Sequence, residues 1–165
     1  MFECKSFQYA VIPAICLMFT SCGSDNELKN DFLEAQSVIS NITKRIDECH
    51  TSEQCEQLEE ELIKHSIPRL KDIQRNMYQQ VFNNIQRKHG KLSESERLEL
   101  LSTMANDARN SCEFASEFNA YRTSRNKLEA KTNTSQNAAL QNALNEFECE
   151  LEKFSTHAII KEYRR

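Results

Sequence analysis

Cysteine, histidine and carboxylate are the side chains in this sequence with the most chemistry to offer, and their spacing decides which of it is open. Seven cysteines and four histidines occur among 165 residues. A zinc site built on cysteines pairs them about two to four residues apart and needs a second pair close by. Cys49-His50 followed by Cys55 has suitable residue types but no such second pair, so a disulfide between the two cysteines is the simpler product. Glu61 and His65 lie one helical turn apart. A carboxylate-bridged metal centre in a helical bundle uses Glu-x-x-His twice, with further inward glutamates, and that pattern is missing. His50, His65, His89 and His157 form no His-Glu-x-x-His motif, and neither a Gly-x-Ser-x-Gly turn nor a Gly-rich phosphate loop occurs. The sequence reads as a protein that is not an enzyme, with no cofactor, no metal site and no small-molecule substrate. Its most concentrated charge is the acidic run Glu53, Glu56, Glu59, Glu60 and Glu61. Such a run offsets the positive end of a helix and aids solubility. It also attracts a basic protein, which makes Glu53, Glu56, Glu59 and Glu60 candidate partner-binding residues.

The elements that would carry these residues are helical. Two glycines and two prolines are too few for the turns of a sandwich or barrel. A formal net charge of −4, from 21 Lys+Arg against 25 Asp+Glu, does not suit a nucleic-acid binder. Leu28, Phe32, Ala35, Ile39, Ile42, Ile46 and Cys49 alternate in spacings of four and three, which makes one apolar stripe on a helix. After His50, Thr51 or Ser52 can cap a second helix bearing Cys55, Leu58, Leu62 and Ile63. Pro68 predicts a kink or a new helix, after which Leu70, Ile73, Met77, Val81, Phe82 and Ile85 continue the face. Gly90 stands where a left-handed helix stop is used. Ser93 to Glu96 is a capping box, and Leu98, Leu101, Ala105, Ala108, Cys112 and Ala115 follow on a helix expected to run on through Phe118, Tyr121 and Leu128. Thr132 to Ser135 reads as a loop. Leu140, Leu144, Phe147, Leu151, Phe154 and Ala158 mark the last helix. Asn and Gln fall on outer faces, and Asp107, Arg109, Tyr78 and Tyr121 read as surface residues. The expectation is an all-α antiparallel bundle of four to five helices over residues 27–165, with an extended coiled coil as the alternative.

In that arrangement the turn near Ser52 brings Cys49 and Cys55 together, and the last turn falls midway between Cys112 and Cys149. Bridges Cys49–Cys55 and Cys112–Cys149 follow, although four cysteines allow three connectivities. Cys149 lies opposite the Leu140–Ala158 stripe, beside Asn142 and Asn145, and its sulfur can equally face solvent or a partner.

The N-terminal region carries a different signal. Tyr9 to Phe19 is apolar apart from Pro13, and as a helix it would span about 16 Å, short of the roughly 30 Å of a hydrocarbon core. That length fits a secretory signal peptide. Phe19-Thr20-Ser21-Cys22-Gly23 resembles a bacterial lipobox. The resemblance implies cleavage before Cys22, acylation of its sulfur (palmitate in the mature protein), and, with Gly23 rather than Asp next, sorting to the outer membrane. Residues 1–21 would then be a lipoprotein signal peptide and 22–26 a lipidated cysteine with a short polar tether. Cys4 and Cys16 would leave with the signal, and the domain would face the periplasm.

Beyond residue 49 the layout resembles the LprI-type lysozyme-inhibitor family, a helical exported family with two cysteine pairs. Arg75-Asn76-Met77-Tyr78-Gln79 places Tyr78 at the family's tyrosine. Asp107-Ala108-Arg109-Asn110-Ser111-Cys112 supplies the middle cysteine, and Cys149 the last. Asn76 and Arg109 each stand one residue nearer their partner than in that family, and no tryptophan precedes Arg109. The resemblance implies that Tyr78 joins the partner-binding residues. The expected function is to bind another envelope protein, by inhibiting a lytic enzyme or conferring immunity to a toxin. A structural or assembly lipoprotein is the alternative.

Overall fold

Alternating spacings of four and three put one face of α1 (Ser24–Asp47) wholly inside: Leu28, Phe32, Ala35, Ile39, Ile42 and Ile46 are buried, with Cys49 just beyond. The computed structural model describes residues 24–131 and 138–165, with side chains from residue 28 onward. Among these residues every regular element is helical. Residues 1–23, including the expected signal peptide and Cys22, and the loop expected at Thr132–Ser135 lie outside the described residues. Ser24 to Asn26 belong to α1, so the polar tether expected there is instead the first turn of a helix.

The next two helices form one rod. α2 (Ser52–Glu61) passes into a π-helical turn, Leu62–Ser66, and then into α3 (Ile67–His89), with right-handed helical dihedrals at both junctions. Pro68 explains the turn. It has no N–H, and its ring would collide with the Lys64 carbonyl in an ordinary α-helix. Widening the preceding turn so that the Ile67 N–H reaches Leu62 O relieves that collision without ending the helix. The extra residue in the turn also alters the facing of its neighbours. Leu62 stays in the core, whereas Ile63, expected on the apolar face, is 51% exposed.

Gly90 ends α3 in right-handed, not left-handed, geometry (φ −61°). It is required for a different reason: a Cβ there would stand 2.5 Å from the Gln86 carbonyl oxygen. Ser93 then caps α4 (Glu94–Ser111) in the expected box. That helix does not run on. Glu113 adopts φ 53°, and a new helix, α5 (Phe114–Lys131), starts behind it. The turn carries Phe114 into the core and leaves Ala115 exposed. The last helix also divides, into α6 (Ala138–Glu152) and α7 (Thr156–Tyr163). Ser155 accepts a hydrogen bond from the Ala158 N–H at 3.2 Å and so caps the second piece.

Cross-helix contacts fix the directions. Glu34 pairs with Arg69 and Cys49 meets Cys55, so α1 runs back along the rod. Lys71 reaches Glu146 at 2.7 Å, Gln74 reaches Glu150 O at 2.8 Å and Tyr78 reaches Lys153 O at 3.0 Å; α3 and α6 therefore share a direction. Arg122 binds Glu148 (2.8 Å) and Glu152 (3.4 Å) while Arg125 binds Glu148 and Asn145, which sets α5 against α6. Where α1, α5 and the end of α6 converge, Phe32, Phe114 and Phe154 meet with ring centroids 5.3–5.8 Å apart. Each such fully buried ring contributes about 1.5–3 kcal/mol.

Polar residues enter this core as well. Tyr121, expected at the surface, is fully buried and donates to Leu144 O at 3.1 Å. Gln74, expected on an outer face, is buried and satisfied by Glu150 O.

Candidate functional site

The acidic surface is built on a short, firmly held helix. The Thr51 side chain accepts from the Gln54 N–H at 3.2 Å, and Gln54 Oε1 accepts from the N–H groups of His50 (2.9 Å) and Thr51 (3.0 Å). This reciprocal cap satisfies donors that otherwise need water. Cys49, at the end of α1, is bridged to Cys55 across the turn, with Cα atoms 5.7 Å apart, a normal separation for a disulfide. The bridge closes a loop of seven residues, which in the chain-entropy account stabilises the fold by about 2.4 kcal/mol. Cys55 and Leu58 face the core, so Glu53, Glu56 and Glu60 must face outward, and they are exposed; Glu59 and Glu61 are half-buried. Glu60 binds Lys64. The hydrogen bond from that ammonium, followed by its charge, holds the Glu60 carboxyl below the usual carboxylate range.

Tyr78 lies elsewhere. It is on the same rod as Glu60 but about 27 Å further along at 1.5 Å per residue, so the structure does not gather the four glutamates and Tyr78 into one surface. Its ring is half-buried and stacked on Phe82 at 5.5 Å, and Phe82 meets Tyr163 edge-on at 5.0 Å. Burial, reinforced by the charges of Glu162 and Glu150, pushes the Tyr78 phenol up to about 12. The hydroxyl is thus a hydrogen-bond donor holding α3 to the end of α6, not a proton source near neutral pH.

The expected Cys112–Cys149 bridge is not formed. Cys112 is buried at the end of α4, with its sulfur 3.6 Å from Lys29 O, while Cys149 is exposed. The cause is helical phase: Leu144, Phe147 and Leu151 take the inner face of α6, which turns Cys149 outward. Cys112 meets α1 instead of α6.

Glu150 was not foreseen. It is a buried carboxylate held by Lys153 at 2.7 and 2.8 Å, with Lys71 at 4.0 Å. Its position three residues after Phe147 and beside Leu151 was the available signal, because that spacing places it on the inner face whatever its polarity. On the opposite flank, Arg125 joins α5 to α6. Burial is the largest single influence and acts against its charge, but the hydrogen bond to Glu129 and the charges of Tyr121, Glu129 and Glu148 together outweigh it and raise its pKa.

Among the described residues no group of three or more His, Cys, Asp or Glu is placed to hold a metal ion, and His50 and His65 are both exposed. Also among the described residues, no helix is long and apolar enough to cross a membrane. No protein-family model matches the chain, and neither a curated protein nor a solved structure matches it.

Proposed function

We propose that this chain is a non-catalytic lipoprotein of the bacterial outer membrane, anchored through Cys22 and facing the periplasm, that binds a basic envelope protein through α2. The observation that carries the reading is the outward presentation of Glu53, Glu56 and Glu60 on a helix that is capped at Thr51 and stapled by Cys49–Cys55. A surface held in one conformation before contact loses little entropy on binding, and its carboxylates steer a cationic partner toward it. Inhibition of a lytic enzyme, as in the LprI-type family, and immunity to an imported toxin are the two specific forms of this function. The proposal includes an antiparallel bundle in which α1 runs against the single rod of α2 and α3, and α5 runs against α6.

Crosslinking with mass spectrometry in the native envelope tests it. The expected outcome is a stoichiometric complex with one cationic lytic enzyme or toxin, crosslinked near α2 and lost when Glu53, Glu56 and Glu60 are changed together to Lys. Recovery of assembly-machine subunits alone would favour a structural lipoprotein instead.

A further inference from the structure

The bundle is not equally built along its length. The Glu34–Arg69 and Cys49–Cys55 contacts place α1 residues opposite rod residues so that Ser24 stands level with about residue 79. The contact of Cys112 with Lys29 O fits the same register. From there α3 continues for ten residues to His89, about 15 Å, alongside the first half of α4 and α7 but with no stretch of α1 beside it. Phe82, Leu98 and Tyr163 are half-buried in that half, beside Val81, Ile85, Leu101 and Ile159, which are closed.

Charge divides along the same axis. Residues 44–64, around the Cys49–Cys55 turn, hold three Lys or Arg against seven Asp or Glu. Residues 87–99 and 156–165, at the Gly90 end, hold seven against four. Gln86 Nε2 lies 3.4 Å from the Tyr163 hydroxyl, so the ends of α3 and α7 are neighbours, and Arg87, Lys91, Lys161 and Arg164 are all exposed there.

Resting on the reading of Cys22 as the lipidated residue, we infer that the Gly90 half of the bundle lies against an anionic lipid surface and that the α2 end stands away from it. The residues from Cys22 to the start of α1 span at most about 7 Å however they are arranged. The Gly90 half overhangs Ser24 by about 15 Å. With an anchor this short the overhanging half stays within reach of the headgroups, and leaning the bundle brings the side of that half onto them. That half offers exposed cations for the lipid phosphates and also carries the half-buried Phe82, Leu98 and Tyr163, a composition suited to a bilayer interface. The carboxylates of α2 are then carried outward, where a soluble partner can reach them.

The test uses the acylated protein extracted from membranes and reconstituted into phosphatidylethanolamine–phosphatidylglycerol vesicles. A fluorophore is placed at Ser95→Cys or Gln57→Cys in a Cys149→Ser background, with a nitroxide quencher at headgroup depth. The expected result is quenching at position 95 and little at position 57. Docking should weaken by about fivefold or more per base in Lys91→Glu, Lys161→Glu and Arg164→Glu, with helical circular dichroism unchanged. It should weaken likewise when phosphatidylcholine replaces phosphatidylglycerol. Acylated protein that shows equal quenching at the two positions, or indifference to both changes, overturns the inference alone. Mass spectrometry showing no acyl group on Cys22 overturns the anchor and with it the geometry used here.

Discussion

Glu113→Gly should stabilise the protein relative to Glu113→Ala, which reverses the order of these residues in a helix. Glu113 holds φ 53° in the turn between α4 and α5. An L side chain in that region crowds the following carbonyl and costs about 1–2 kcal/mol, which glycine does not incur. Glycine loses more backbone freedom on folding, about 0.5–1 kcal/mol. The net advantage of Gly over Ala is therefore about 0.5–1 kcal/mol, whereas inside a helix Gly is worse by about 1 kcal/mol. Comparing Gly with Ala also cancels the loss of the carboxylate, which sits beside the positive end of α5 and acts at a few tenths of a kcal/mol. Urea unfolding of the two variants reads the difference, and thermal unfolding should show a gap of about 1–4 °C for a domain of this size. An Ala variant more stable than Gly by the helical amount would mean that α4 and α5 are one continuous helix, and the account of how Phe114 enters the core would fail.

Three further outcomes follow from the packing. Cys49→Ser should cost about 2.4 kcal/mol in urea unfolding, and an unchanged midpoint would show that the two sulfurs are not joined. Gly90→Ala should destabilise by about 1 kcal/mol or more, since the new methyl meets the Gln86 carbonyl at 2.5 Å; a gain in stability would contradict that close approach. The Tyr78 phenol is raised to about 12 from an ordinary 10, so the folded state keeps a proton that the unfolded chain releases. Its contribution is complete below pH 10 and is lost as pH rises toward 12. Tyr78→Phe should flatten the alkaline fall in stability over that window, and an unaltered slope would mean the hydroxyl is not held as described.

The sequence made the apolar stripes legible because they follow helical periods, and the buried faces of α1 and α3 fall where those periods place them. Helix ends were legible where a capping residue marks them, as at Thr51 and Ser93. They were not legible at Glu113, where a residue with no preference for left-handed geometry turns the chain, or at Ser155, whose hydroxyl stands within an apolar pattern that runs on past it. Apolar spacing also misses polar residues on an inner face, which is why Gln74, Tyr121 and Glu150 were not foreseen. At the candidate site, the outward carboxylates of α2 and the Cys49–Cys55 staple could be read from local spacing. The separation of Tyr78 from them could not, because it depends on the rod continuing unbroken past Pro68.

The π turn at Leu62–Ser66 works as a phase shifter between two stretches of one shaft. One residue of added helix advances the phase by about 100°, so the turn sets the azimuth at which α2 shows its carboxylates relative to the face that α3 buries. Deleting a single residue within 62–66 would keep the rod and both of its apolar stripes, yet would bring those stripes onto different sides. The chain would then have to choose between seating α3 and seating Cys55 and Leu58. The acidic face is thus aimed by a length of backbone as well as by the residues it displays.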